Sequence, residues 1–244
     1  MVWRHSLAAL LVLPSLAVAW EFRGEAGLEG RYFTQSSPYE AADYSTNGSL
    51  YLKGEVFHEW NNRDDLFTFI PYLRVDENDS ERTHADIREL SWIHVGRGWE
   101  SRVGIRKVFW GVTEGRHLVD IINQTDLVDQ VDGEEKLGQP MLNLSTVRDW
   151  GIVDLFLLPG FRERTYAGEE GRPRTPLPVS DQARYESGAE DKRVDVALRY
   201  QQYFNNGLEL ALSHFSGTSR EPLLLPEAHS PQQLQALLLT GSLP

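Results

Sequence analysis

Residues 21–33 read EFRGEAGLEGRYF. Phe22, Gly24, Ala26, Leu28, Gly30 and Tyr32 fall on one parity, and Glu21, Arg23, Glu25, Gly27, Glu29 and Arg31 on the other. Successive side chains alternate across a strand but drift around a helix, so this segregation predicts a strand with one apolar and one charged face. It is long for a strand of a soluble sheet, where about five or six residues is usual. The period recurs in residues 49–60, where Leu50, Leu52, Val56 and Trp60 oppose Lys53, Glu55 and Glu59. In 66–76, Phe67, Phe69, Leu73 and Val75 oppose Thr68, Tyr72, Arg74 and Asp76. In 84–95, Ala85, Ile87, Ile93 and Val95 oppose Asp86, Arg88 and His94, with Glu89 interrupting the apolar face. In 99–109, Val103, Ile105 and Phe109 oppose Glu100, Arg102 and Arg106, with Lys107 as a second interruption. Segments 141–148, 152–162, 193–203 and 208–215 continue the pattern and bring the expected strands to nine.

The intervening segments are sorted by length. Residues 34–48, 77–83, 110–140 and 163–192 alternate with the shorter 61–65, 96–98, 149–151 and 204–207. In an up-and-down antiparallel arrangement this puts every long loop at one end and every tight turn at the other, the habit of outer-membrane barrels. With the first strand running outward, the long loops are external and the tight turns periplasmic. Trp20, Phe22, Trp60, Phe67, Trp92, Trp99, Trp150, Tyr203 and Phe204 then lie near the periplasmic end. Tyr32, Phe33, Tyr51, Phe109, Trp110, Phe161 and Phe215 lie near the external end. Such rings prefer the membrane–water interface. The expected fold is an all-β, antiparallel, up-and-down transmembrane β-barrel.

Composition narrows the function classes. The chain has 244 residues, 24 basic and 36 acidic side chains, and a net charge of −12. That argues against a duplex nucleic-acid binder, which needs a basic face. Hydrophobic residues at 41% argue against disorder. There is no cysteine, which excludes disulfide scaffolds, thiolate zinc sites and cysteine nucleophiles. Arg4 and His5, the apolar run 6–18 and Ala17-Val18-Ala19 form a secretory signal peptide over residues 1–19, with Trp20 as the first mature residue. Beyond it no apolar run reaches the ~20 residues of a transmembrane helix.

The run Arg106-Lys107-Val108-Phe109-Trp110-Gly111, leading into Leu118-Val119-Asp120-Ile121-Ile122-Asn123, is similar to a strand-to-loop segment of uncharacterised proteobacterial outer-membrane porin-like barrels. Those barrels are distantly similar to alginate-export channels. The resemblance extends over most of the mature chain. It implies an outer-membrane channel for passive passage or export of small hydrophilic solutes or polysaccharide, and it does not specify the solute. By analogy with porin trimers it allows a homo-oligomer. Two features depart from the family. Single-chain bacterial barrels close with an even number of strands, and residues 216–244 lack a terminal amphipathic strand. Ser230-Pro231-Gln232-Gln233, followed by Leu234, Leu237 and Leu238, reads instead as a capped short helix. The expectation is an incomplete barrel with a truncation point in 216–244. The alternative is that eight strands close a small pore.

The charged face supplies the candidate pore-lining residues: Arg23, Arg31, Lys53, Glu55, Arg74, Arg88, Arg102, Arg106, Asp195 and Arg199. Arg102 and Arg106 stand out because they share a face and precede the longest loop. That loop carries Asp120, Asp126, Asp129, Asp132, Glu134 and Glu135. Long loops are uncommon unless functional or disordered. This one is expected to fold inward as an acidic constriction favouring cations; a solvated external loop and a calcium site, without EF-hand spacing, are the other readings. No catalytic motif appears among the scattered histidines, so no catalytic residue and no cofactor is assigned. Outer-membrane lipid and a small hydrophilic solute are the expected partners. The competing class is a soluble periplasmic β-rich protein that binds a carbohydrate or a partner; a barrel-based hydrolase is a third reading. A continuous apolar outward face marks a barrel, and a mixed one marks the soluble class.

Overall fold

The computed structural model describes residues 7–11, 20–110, 119–227 and 235. Among them the chain forms one antiparallel sheet whose strand order is the chain order. The strands are β1 (Leu7–Leu11), β2 (Trp20–Tyr32), β3 (Thr46–Trp60), β4 (Asp65–Asp76), β5 (His84–Gly96), β6 (Trp99–Arg106), β7 (Gln139–Arg148), β8 (Gly151–Pro159), β9 (Val194–Tyr203) and β10 (Glu209–Ser216). β2–β10 are the nine strands that alternation predicts. Among the described residues β10 pairs with β9 alone, so the sheet is not closed. Most of residues 1–19 and of the expected C-terminal helix lie outside the described set. The backbone of Leu7–Leu11 runs along the edge of β2, with Leu7 opposite Leu28 and Leu11 opposite Gly24.

Pairing register shows why the two faces differ. One row crosses the sheet as His58, Phe67, Trp92, Val103, Leu142, Leu157 and Val196, each opposite the next on the neighbouring strand. Another joins Leu28, Leu50 and Val75. On this outward face of β2–β10 the only Asp, Glu, Lys or Arg are Asp65 and Arg148, both at tight-turn ends. The apolar side chains are open, Leu28 at 66% and Leu212 at 59% exposure. Soluble monomers rarely expose so continuous an apolar surface. Tryptophans gather at the tight-turn end, where Trp20, Trp60, Trp92, Trp99 and Trp150 are all exposed. Trp20 stacks on His58 at 4.2 Å, and His58 on Trp60 at 5.3 Å.

Three strand details differ from the sequence expectation. In β5, Ile70 faces Glu89 while Pro71 faces Ile87, so Arg88 is the extra residue of a bulge. A bulge inserts one residue and reverses the parity beyond it. Ala85 and Ile87 point outward before it and Leu90 and Trp92 after it, which returns Ile93 and Val95 to the inward set. Glu89 is therefore the mark of the bulge rather than a flaw in the apolar face. β6 stops at Arg106 instead of 109, and Lys107 turns away to pair with Glu135. β8 stops at Pro159 instead of 162, because Gly160 takes the left-handed conformation at φ 75°.

A small apolar core joins Trp110 and Ile122 of the long loop to Met141, Phe156, Leu158 and Ala197 on the inward face of the sheet. Close approach of β5 and β6 depends on Gly104, which sits opposite Ser91 at φ 131°; a Cβ there would collide with the carbonyl of Leu90. Gly104→Ala is expected to cost about 2–4 kcal/mol through strain and lost pairing, while Gly24→Ala, with nothing within 4 Å, should be neutral. Urea unfolding midpoints of the two variants test this. Equal midpoints would contradict the β5–β6 register.

Candidate functional site

Residues 107–110 and 119–138 fold onto the inner face, and named contacts hold them there. Trp110 meets Phe156 edge-on at 5.5 Å, with the Arg199 guanidinium 5.4 Å from its ring. The Asp120 carboxylate accepts the Trp110 amide at 2.5 Å. Asn123 clips both ends of the segment: its amide donates to the Arg106 and Leu137 carbonyls at 2.7 and 2.9 Å, and its oxygen accepts the Val108 amide at 2.8 Å. Thr125 bridges to Lys136, and Asp126 to Thr165 beyond β8. Arg220, past β10, donates to the Ile122 carbonyl at 3.0 Å and to Asp195 at 2.6 Å.

Beneath the loop lies an ionic network. Arg88, the bulge residue, reaches Asp126 at 2.6 Å and Asp129 at 3.1 Å. Arg74 reaches Asp129 at 2.8 Å and Glu29 at 3.2 Å. Arg82 binds Asp76 at 2.7 Å, Glu29 at 3.1 Å and the Val128 carbonyl at 3.1 Å. Tyr72 donates its hydroxyl to Asp129 at 2.7 Å and lies under the Arg88 guanidinium, 4.2 Å away. All seven charged groups are buried, and buried charges persist only when paired. Burial pushes the Asp126 carboxyl up, but the hydrogen bond and charge of Arg88, with the Thr165 hydroxyl, outweigh it and hold the group below its ordinary range. In the β4–β5 loop burial prevails: Asp79 is pushed up despite the amides of Gly168 and Glu81.

The expected pore-lining residues divide into two sets. Arg74, Arg88 and Asp195 are buried, the first two under the loop and Asp195 under Arg220. Arg31 pairs with Glu29 at 2.5 Å. Arg102 meets Glu100 at 2.5 Å and Asn143 at 2.6 Å, Arg106 has Glu89 at 3.8 Å, and Arg199 lies opposite Asp154. Arg23 pairs with Glu21 at 3.2 Å and lines a small hollow with Glu55. Lys53 opens onto a larger cavity of about 280 Å³ between β2–β5 and the loop, lined also by Glu25, Tyr51, Tyr72, Glu89 and Gln130. Of the loop acids, Asp126 and Asp129 are neutralised by arginines, Glu135 pairs with Lys107, and Asp132 and Glu134 are exposed. The buried part of the loop thus presents matched charges rather than an acidic ring. Among the described residues no three His, Asp or Glu side chains converge to hold a metal ion. Periodicity could not reveal Arg82, Asn123 or Arg220, which lie in irregular segments. Tyr72 was legible as an inward residue but not as a partner of Asp129.

Compared with family models, with curated proteins and with solved structures, the chain matches none.

Arg88→Met would leave Asp126 buried without its arginine and Asp129 with Arg74 alone, a loss of about 3–5 kcal/mol. Faster amide exchange across residues 119–138, with exchange in β8 and β9 unchanged, is the expected result. Because the folded Asp126 carboxyl titrates below its unfolded value of about 4, its hold on the loop is complete above that pH and lost as pH falls through the folded value. Loop protection should therefore stay level from pH 7 to about pH 4 and drop only below it. Release near pH 6 would contradict this.

Proposed function

We propose that the chain is a porin-like outer-membrane protein that passes small hydrophilic solutes along its charged inner face. The observation that carries the reading is the outward face: nine strands present leucine, valine and aromatic side chains with no charge between the two ends. A hydrocarbon surrounding makes that surface favourable, since about 25 cal/mol per Å² is lost when apolar area stays in water. The exposed tryptophans at the tight-turn end match an interfacial belt. The uncharged face favours this reading over the soluble periplasmic one. β2 and β10 run in the same direction, so a strand sealing the sheet into a barrel must be antiparallel to both. Residues 1–19 serve as the export signal, and the loop packed on the concave face narrows the passage.

Leu157→Arg places a charge in the middle of the outward face and is expected to cost about 2–4 kcal/mol of insertion. Glu55→Arg, on the inner face, should insert normally. Urea-washed outer membranes run boiled and unboiled on a gel read this out. A retained, heat-shifted band for the parent chain and Glu55→Arg, lost for Leu157→Arg, is the expected result. A band that washes off as soluble periplasmic protein would overturn the reading.

A further inference from the structure

The cavity between β2–β5 and the loop differs from the network beside it, because its charges are not all matched. Arg74 is taken by Glu29 and Asp129, and Lys107 by Glu135. Lys53, on the cavity wall in register with Glu25 and Tyr72, has no carboxylate partner among the described residues. Arg88 Nη2 is buried without a hydrogen bond, although Asp129 lies 3.1 Å away. Two carboxylates have spare capacity. Glu25 engages one oxygen with the Tyr51 hydroxyl at 2.7 Å, and Glu89 uses one oxygen for both Ser91 at 2.7 Å and Arg106 at 3.8 Å, leaving its second oxygen open. Gln130 adds an uncommitted amide to the wall.

A neutral solute displacing water from such a wall would strand charges of both signs, which is costly. A simple anion would satisfy Lys53 and meet Glu25 and Glu89; a simple cation would do the reverse. A solute carrying both signs meets all of them. At about 280 Å³ the space lies at the small end of ligand cavities. We propose that this cavity is a binding subsite for a small zwitterion of the α-amino-acid class, its carboxylate toward Lys53 and Arg88 Nη2 and its ammonium toward Glu25 and Glu89. The proposal rests on the solute-passage reading for its role, but the cavity is built by four strands and one loop and does not require a closed sheet.

The test is equilibrium dialysis of the full chain, folded in detergent, with labelled L-serine, propionate and propylammonium. Saturable serine binding at least ten-fold tighter than either single-charge probe is expected. Lys53→Met and Glu25→Gln should each weaken serine binding at least ten-fold, Lys53→Arg should restore most of it, and Glu59→Gln should leave it unchanged. Circular dichroism of each variant confirms that the sheet is intact. Absence of saturable serine binding, equal binding of propionate or propylammonium, or wild-type affinity in both Lys53→Met and Glu25→Gln would overturn the proposal. A membrane-retained, heat-shifted chain that binds no serine would sink the subsite and leave the channel. A chain that binds serine and washes off the membrane would do the opposite.

Discussion

A sheet whose nine strands turn all but two of their charges, Asp65 and Arg148, to one side must find two different surroundings for its two faces. That constraint organises the rest of this molecule. The outward rows, from His58 across to Val196, contain no Asp, Glu, Lys or Arg between the two ends of the strands. The inward rows contain carboxylates and guanidinium groups in number, and those demand either water or one another. The loop after β6 supplies part of the second solution. It brings Asp126 and Asp129 down to Arg88 and Arg74, so groups that would line an open interior become a buried and mutually neutral cluster.

The bulge at Arg88 connects strand geometry to that cluster. An unbroken alternation would keep Ile93 and Val95 outward and Glu89 among them. The extra residue reverses the parity, places both Arg88 and Glu89 on the inner side and leaves Leu90 and Trp92 on the apolar side. One inserted residue therefore preserves the uncharged face and provides the arginine on which the loop closes. On the β7–β9 side the loop is held by apolar contact instead, through Trp110, Ile122 and Phe156. An ionic attachment at one end and an apolar one at the other fix the loop across the concave face.

Much of this was legible in the sequence because a period of two is a local signal. All nine strands, their order and the sorting of tight turns from long loops follow from positions such as Phe22, Leu28, Leu50 and Leu198. Strand ends were less legible: Lys107 and Gly160 end β6 and β8 for reasons of pairing and backbone conformation that periodicity does not carry. The inner site was half legible. Arg74, Arg88, Asp126 and Asp129 were visible as charges expected to face inward, but their cancellation was not, since it joins residues distant in the chain. Arg82, Asn123 and Arg220 were invisible for the same reason: each acts from an irregular segment on a carbonyl or carboxylate far away in sequence.

The chain contains no cysteine, so single cysteines can report the surroundings of each face of β3 directly. The decisive measurement places them in turn at Leu52, Lys53, Glu55 and Val56 and labels intact outer membranes with a water-soluble maleimide. The account predicts rapid labelling at Lys53 and Glu55, and labelling at Leu52 and Val56 only after detergent is added. Equal labelling at all four positions, or labelling at Leu52 and Val56 alone, would contradict it.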